Sequence, residues 1–241
     1  MPQLLVPAAA QKFFTTVDRV AKESVNMKHG ALILLTCVLG MATAQAFTEQ
    51  EIVNADAKII RDFRNIPEQA IPEAVFRRAR GLAIIKVVKV GFGFSGKGGE
   101  GVVVARTGNG WSGPSFVGTG GAGFGFQIGA QVTDLVFVLN NESAVRAFSR
   151  GGNVKIGADA SAAAGPVGRH AEADVMPTAA IYTYSRSKGL FAGVSLQGSI
   201  IATQTTANHR YYKQKVTPAE ILSGKVSPPK GAGVLLSALG R

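Results

Sequence analysis

Between residues 120 and 130 the chain alternates strictly between two kinds of side chain. One set is glycine or glutamine and the other is apolar; the members are Gly121, Gly123, Gly125 and Gln127, and Ala122, Phe124, Phe126 and Ile128. A repeat of two residues is that of a β-strand, whose successive side chains point to opposite faces. A strand with a bare glycine face lets another backbone or sheet approach closely. The segment therefore predicts a β-rich fold with closely packed backbone.

The chain on both sides of this segment has the same β character. Strands are predicted at Leu82–Val90, Gly101–Arg106 and Trp111–Val117, with a tight turn at Gly108-Asn109-Gly110, and at the apolar run Leu135–Leu139. Further strands are predicted at Val154–Ile156, Ala158–Ala164, Ala171–Val175, Ala179–Ser185 and Phe191–Ile201. Short helices are predicted at Asn141–Phe148, Pro218–Leu222 and Val234–Leu239. Together they predict an α+β fold: a glycine-rich antiparallel β-sheet, folded over or partly closed like a barrel, covered by N-terminal amphipathic helices.

Two helices are expected before the sheet. Thr48 and Glu51 have the spacing of a capping box, and apolar residues recur at helical spacing from there until the helix ends near Asn65. Such a helix can lie on a membrane, but its mixed charges favour packing against the protein's own core. A second helix is predicted from Pro72 to Arg80, with Gly81 as its stop. Its last turn is rich in arginine, which suits either the helix dipole or contact with phosphate.

The amino end resembles a targeting segment. Lys28 and His29 precede an apolar run, and Ala44-Gln45-Ala46 has the small-x-small pattern of a signal-peptidase site. We therefore expect an upstream extension plus signal peptide over residues 1–46, with the signal at 27–46, and a folded domain over 47–241 that is secreted or periplasmic. A long positively charged leader and a helix packed on the domain are the alternatives.

The charge balance indicates the kind of partner. The chain of 241 residues has a formal charge of +11 and a pI near 10.0, which favours a polyanion: anionic lipid, nucleic acid or an acidic protein. A solvated basic surface without a partner would have the same composition. Single-stranded nucleic acid is bound by aromatic side chains interleaved with basic ones, whereas Phe92, Phe94, Phe124 and Phe126 lie among glycines. Nucleic acid is therefore not expected.

No motif in the chain predicts catalysis, a cofactor or a metal. Gly91–Gly96 matches GxGxxG, but the chain continues into a strand and not into the helix that a dinucleotide site needs. The single cysteine, Cys37, and the three histidines have no metal-binding spacing. Asp134 lies among apolar strand residues, where it is expected to accept backbone or arginine hydrogen bonds. An enzyme that uses Asp134 and His170 is the remaining alternative to a protein without catalytic activity.

Several long segments, in order, resemble the SYLF family, a lipid-binding and actin-binding domain. They include Arg77–Arg106, Thr133–Asn140, Ala164–Ala173, Tyr184–Ser195 and Glu220–Gly224. The resemblance implies binding to phosphoinositide or other anionic phospholipid, and in fungal and animal members also to actin. A secreted single-domain chain is similar to bacterial envelope members, which argues against actin. In animal members a helix at the start of the domain contributes to lipid binding, and Thr48–Phe63 is the matching segment here.

The sequence thus predicts a domain that binds anionic phospholipid through a basic patch and an amphipathic helix. The candidate residues share a positive charge and lie near the two helices or on the strands beside them: Lys58, Arg61, Arg64, Arg77, Arg78, Arg80, Lys86, Lys89, Arg186 and Lys188. A structural or partner-binding envelope protein is the alternative from a different class.

Overall fold

A computed structural model describes residues 47–65, 71–165, 179–189 and 200–240, with only the backbone at 91–95, 122–128 and 188–189. The predicted signal segment, His170, the strand at Ala171–Val175 and most of the strand at Phe191–Ile201 lie outside the described residues. The helices are α1 (Glu49–Asn65), α2 (Glu73–Arg78), α3 (Glu142–Ser149), α4 (Thr205–Tyr212), α5 (Pro218–Leu222), a 3-10 turn (Lys230–Ala232) and α6 (Gly233–Leu239). The strands are β1 (Gly81–Thr107), β2 (Gly110–Trp111), β3 (Ser115–Leu139), β4 (Asn153–Lys155), β5 (Ala162–Ala164), β6 (Ile181–Gly189) and β7 (Ile200–Thr203).

The sheet is built on one long antiparallel pair, β1 and β3. Their register extends from Gly81 opposite Leu139 to Val103 opposite Ser115, with a shift between Phe92 and Phe94. β6 pairs antiparallel with β3, and β5 adds to β6 in parallel. β7 pairs with the first part of β3 and with β4. The strands predicted at Leu82–Val90 and Gly101–Arg106 are therefore parts of one continuous strand.

β1 doubles back so that its two ends lie side by side. The backbone N–H of Arg106 donates to the carbonyl oxygen of Arg80 at 2.8 Å. A Cβ atom added to Gly101 would fall on the carbonyl oxygen of Ile84, because only a glycine leaves room for so close an approach. The sheet is therefore folded over and partly closed, as the order of predicted strands and helices indicated.

Both faces of the folded sheet are buried. Leu82, Ile84, Val136 and Val138 belong to one core, which α1, α2 and α6 cover. Their neighbours Ala83, Ile85, Leu135 and Phe137 belong to a second core, beneath α3 and α5. Burial on both sides explains why these stretches read as continuous apolar runs rather than as an alternation.

The helices confirm several of the sequence predictions and correct others. Thr48 and Glu51 form the predicted capping box, with Glu51 Oε2 accepting from the Thr48 backbone N–H at 2.8 Å and Thr48 Oγ1 accepting from the Glu51 N–H at 3.3 Å. α2 ends at Arg78 instead of Arg80, because Gly81 already begins β1. The sequence patterns did not predict α4, whose apolar residues are too few for a clear periodicity. In the described part of the chain no helix has both the length and the apolar character needed to cross a membrane.

Candidate functional site

α1 presents its apolar stripe to the sheet. Val53, Ala57, Ile60 and Phe63 are at most 2% exposed. The outer face carries the exposed cations Lys58, Arg61 and Arg64. The interpretation that this helix packs against its own core is therefore confirmed, and its charged face is the one that meets solvent.

A chain of ion pairs fastens α1 to three strands. Arg186 of β6 donates through Nη2 to Asp62 of α1 at 2.7 Å and to Asp134 of β3 at 2.8 Å. Lys86 of β1 donates to the other oxygen of Asp134 at 3.1 Å, and Lys58 reaches Asp62 at 2.7 Å. The prediction that Asp134 accepts arginine hydrogen bonds in a structural role is confirmed.

The ion pairs change how these groups titrate. Burial alone would raise the pKa of the Asp62 carboxyl, but hydrogen bonds from Lys58 and Arg186 lower it below its usual range. Burial alone would likewise lower the pKa of the Arg186 guanidinium, and the hydrogen bonds to Asp134 and Asp62 raise it instead. Both groups are therefore held in their charged forms, as the packing of α1 requires.

Asp56 is a buried carboxyl on α1, close enough to Lys86 and Asp134 for their charges to affect its pKa. Its side chain is buried under α1, and neither carboxyl oxygen has a hydrogen-bond partner among the described residues. Burial raises its pKa well above the usual range; the Val102 backbone and Lys86 reduce this effect, and Asp134 adds to it. The packed helix therefore favours the neutral form of Asp56.

We expect Asp56→Asn to flatten the pH dependence of stability. Because the pKa of Asp56 is raised in the folded state, proton binding to this carboxyl adds to the free energy of unfolding. This added stability is fully present below the unfolded pKa of about 3.9. That contribution is lost as the pH rises toward the folded pKa, by up to about 1.4 kcal/mol per pH unit. Urea unfolding between about pH 5 and 8 would measure the slope. Glu142→Gln, which removes an exposed carboxylate, should keep the wild-type slope. If Asp56→Asn also keeps the wild-type slope, Asp56 is not the buried neutral carboxyl described here.

A second group of cations lies where α2 meets the start of the sheet. We call Arg64, Arg77, Arg78, Arg80 and Arg106 the arginine corner. Its members are linked through aromatic rings and backbone: the Arg64 guanidinium carbon lies 5.0 Å from the centroid of the Phe76 ring, and that ring lies 6.1 Å from the Trp111 ring. The guanidinium carbon of Arg106 lies over the Trp111 ring, 4.0 Å from its centroid.

Few carboxylates balance the arginine corner. Glu73 lies 3.7 Å from Arg64, and Glu142 lies 3.9 Å from Arg80. Arg77 and Arg78 are exposed and have no ion pair within the described ranges. The arginine corner therefore keeps an excess of positive charge facing solvent.

The structure divides the ten candidate residues into groups. Arg64, Arg77, Arg78 and Arg80 belong to the arginine corner, and Lys58 and Arg61 are exposed on α1. Lys86 and Arg186 belong to the ion-pair network beneath α1. Lys89 is partly buried on β1, and Lys188 stands opposite Val132 in the backbone register of β6 and β3. Their role in lipid binding stays a prediction.

Sequence reasoning missed Arg106, Asp56 and Asp62. A signal for Arg106 was present, because the two-residue turn at Gly108-Asn109 places Arg106 directly opposite Trp111 in the hairpin. No local pattern marks the two aspartates, which lie on a helix that also carries exposed acidic residues. Their burial depends on strands that are distant in sequence.

This arrangement defines a class of protein: an α+β domain with a folded-over sheet, a helix fastened to it by buried ion pairs, and an arginine-rich corner. The chain belongs to the Ysc84 family, also called SYLF. The family described as "Ysc84: Las17-binding protein actin regulator" matches residues 120–241.

Three relatives show how far the similarity extends. Protein YSC84 of Saccharomyces cerevisiae is 47% identical over 193 residues, which cover 76% of this chain and 41% of the yeast protein. SH3 domain-containing YSC84-like protein 1 of Xenopus laevis is 45% identical over 192 residues, covering 76% and 57%. LAS seventeen-binding protein 3 of Saccharomyces cerevisiae is 46% identical over 177 residues, covering 71% and 39%. The chain thus spans about half the length of these relatives or less. One of the three is named for binding, and none of the three names describes an enzyme.

Proposed function

We propose that this domain binds anionic phospholipid surfaces through the arginine corner, without catalysing a reaction. The observation that carries the proposal is the pair Arg77 and Arg78, exposed side by side on α2 with no carboxylate partner in the described part of the chain. Guanidinium groups can hold phosphate oxygens through two parallel hydrogen bonds. The net charge of +11 attracts the same kind of surface at longer range.

The proposed attachment is electrostatic rather than insertive. Each basic residue near an anionic membrane contributes about 1 kcal/mol, so several arginines together suffice for reversible binding. The apolar face of α1 is occupied by the sheet, and its insertion into lipid would first require the ion pairs of Asp62 and Arg186 to break. Lys86 and Arg186 then act by holding α1 in place, while the arginine corner and Arg61 face the lipid.

We expect Arg77→Gln/Arg78→Gln to weaken binding to anionic vesicles by roughly tenfold or more, since two contributions of about 1 kcal/mol are lost. Sedimentation across a range of salt concentrations would measure the binding of both proteins to two kinds of vesicle. One kind contains phosphatidylcholine alone, and the other also contains phosphatidylglycerol. Binding should need the anionic lipid and should weaken as salt rises.

A matched control removes the same charge elsewhere. Lys213 and Lys215 are exposed just after α4, which is tied to the first turn of α1 by the Arg210–Glu49 ion pair. Neither lysine belongs to the arginine corner, and both side chains are exposed to solvent. Lys213→Gln/Lys215→Gln should retain most of the binding. Equal wild-type sedimentation with neutral and anionic vesicles would refute the proposal.

Binding to a protein partner is the second candidate function. The family description names Las17 binding and actin regulation, and one relative is named for binding Las17. Recovery of one partner in fixed stoichiometry, by a domain that sediments with no vesicle, would favour this function. Cosedimentation with actin filaments under the same conditions would identify actin as that partner.

A further inference from the structure

Two members of the arginine corner lie over aromatic rings, and Arg106 makes the closer contact, at 4.0 Å against 5.0 Å for Arg64. It lies at the end of β1, directly opposite Trp111 across the hairpin. Its guanidinium carbon lies over the Trp111 ring, 4.0 Å from the ring centroid, which is within the range of a cation–π contact. Trp111 is itself 8% exposed and packs in the core beneath α2. A guanidinium held in this way loses little further freedom when it binds a ligand.

Across the described ranges, this guanidinium forms no ion pair with a carboxylate. Its Nε is buried and has no acceptor among the described residues, and the same is true of the indole Nε1 of Trp111. Burial lowers the pKa of Arg106, and the charge of Glu73 partly offsets that effect. The Glu73 carboxylate lies instead within ion-pair distance of Arg64. An arginine stays protonated under such conditions, so a partly buried positive charge remains that has no ion pair with any described residue.

Backbone and ring contacts connect Arg106 to the segments that carry Arg77, Arg78 and Arg80. Its backbone N–H donates to the carbonyl oxygen of Arg80 at 2.8 Å. Phe76 of α2 packs against Trp111, and Arg77 and Arg78 follow Phe76 directly. With Glu73 and Glu142 as the neighbouring carboxylates, five arginines leave an excess of about three positive charges. That excess favours a phosphomonoester, which carries nearly two negative charges, over a phosphodiester with one.

We propose that Arg106, lying over the Trp111 ring, is the binding site for one phosphomonoester group at the arginine corner. The guanidinium edge donates two hydrogen bonds to two phosphate oxygens, and Trp111 fixes the plane in which it does so. Arg77, Arg78 and Arg80 stabilise the remaining charge. That the phosphate belongs to a lipid rests on the proposed function. The site itself would also bind a free phosphomonoester.

The chain provides its own reporter for this test, since Trp111 is its only tryptophan. Emission of the full domain would be followed during titration with glycerol 3-phosphate, and with glycerophosphoglycerol as the anionic diester. Vesicles with phosphatidic acid or phosphatidylglycerol, at matched surface charge, form the membrane arm. The wild type should show a saturable emission change that is at least several-fold tighter for the monoester in both arms.

Three variants separate a specific site from general charge. Arg106→Lys keeps the positive charge but replaces the planar guanidinium with an ammonium group, and should weaken glycerol 3-phosphate binding about tenfold. Arg106→Gln removes the charge and should weaken binding to a similar degree. Lys215→Gln removes one charge outside the corner and should bind as the wild type does. If Arg106→Lys equals the wild type, the inference is overturned. If circular dichroism shows that Arg106→Lys does not fold, the wild-type titration decides: a saturable change supports the site and none overturns it.

The two arms also separate this inference from the proposed function. Vesicle binding with no change in Trp111 emission overturns the Arg106 site and leaves membrane binding in place. A saturable response to glycerol 3-phosphate without vesicle sedimentation supports the site and rejects the membrane as its source of phosphate.

Discussion

Gly101→Ala is expected to destabilise the fold by about 3 kcal/mol or more, corresponding to a fall in Tm of roughly 10 °C. A Cβ atom at this position would collide with the carbonyl of Ile84 and come within 2.7 Å of the Ile85 Cα atom. Both obstacles are backbone in the centre of the folded sheet, where no side-chain rotation can relieve the contact. The two ends of β1 would have to separate, and both cores depend on their contact.

Gly98→Ala is the matched control, because it makes the same substitution on the same strand. A Cβ atom at Gly98 would meet nothing within 4 Å among the described residues. Alanine also restricts the unfolded chain, so we expect a change within about 0.5 kcal/mol of the wild type. Chemical unfolding of the two variants would give the comparison. Equal stability of Gly101→Ala and Gly98→Ala would mean that β1 does not fold back on itself as described.

Arg186→Met is expected to cost about 3–5 kcal/mol, the usual result of removing one partner from a buried ion pair. The Arg186 side chain is 12% exposed, and the Asp134 side chain that it pairs with is 8% exposed. Methionine fills a similar volume. Of the ion pairs between described residues, Asp134 would keep only the one with Lys86, and Asp62 only the one with Lys58. The free energy of unfolding in urea measures this cost.

Lys58→Met controls for the loss of an ion pair as such. Lys58 shares the acceptor Asp62 with Arg186, but its side chain is 71% exposed. Exposed pairs contribute no more than about 1 kcal/mol, so this variant should be nearly as stable as the wild type. A similar small cost for Arg186→Met would show that the network does not fasten α1 to the sheet. Because Arg186 was a sequence candidate for lipid contact, its stability must be known before its vesicle binding is interpreted.

Local patterns predicted the elements whose physical causes are themselves local. α1 follows from a capping box and a helical repeat of apolar residues, and α3 and α5 follow from similarly short-range signals. The glycine alternation at residues 120–130 indicated a strand, and those residues lie within β3. The close backbone approach at Gly101 lies outside that alternation. The exposed arginines of α2 were also identified from their positions in the chain.

The same patterns could not give the partners of these residues. Lys86 and Arg186 looked like lipid ligands because a lysine or arginine between strand residues has the same local appearance whether it meets solvent or a carboxylate. Asp134 lies 48 residues from Lys86 and 52 from Arg186. Arg106 was passed over because having no ion pair with a described residue is a property of its surroundings.

Short-range chemistry within the chain was thus sufficient to establish an α+β domain with a glycine-rich sheet, a capped amphipathic helix and a basic surface. Three features depend on the tertiary structure: the two ends of β1 lie side by side, both faces of the sheet are covered, and particular cations are paired with carboxylates. The physical reason is that caps and periodic burial act over a few residues, whereas the pairing of a buried charge depends on groups that only the closed sheet brings within about 3 Å.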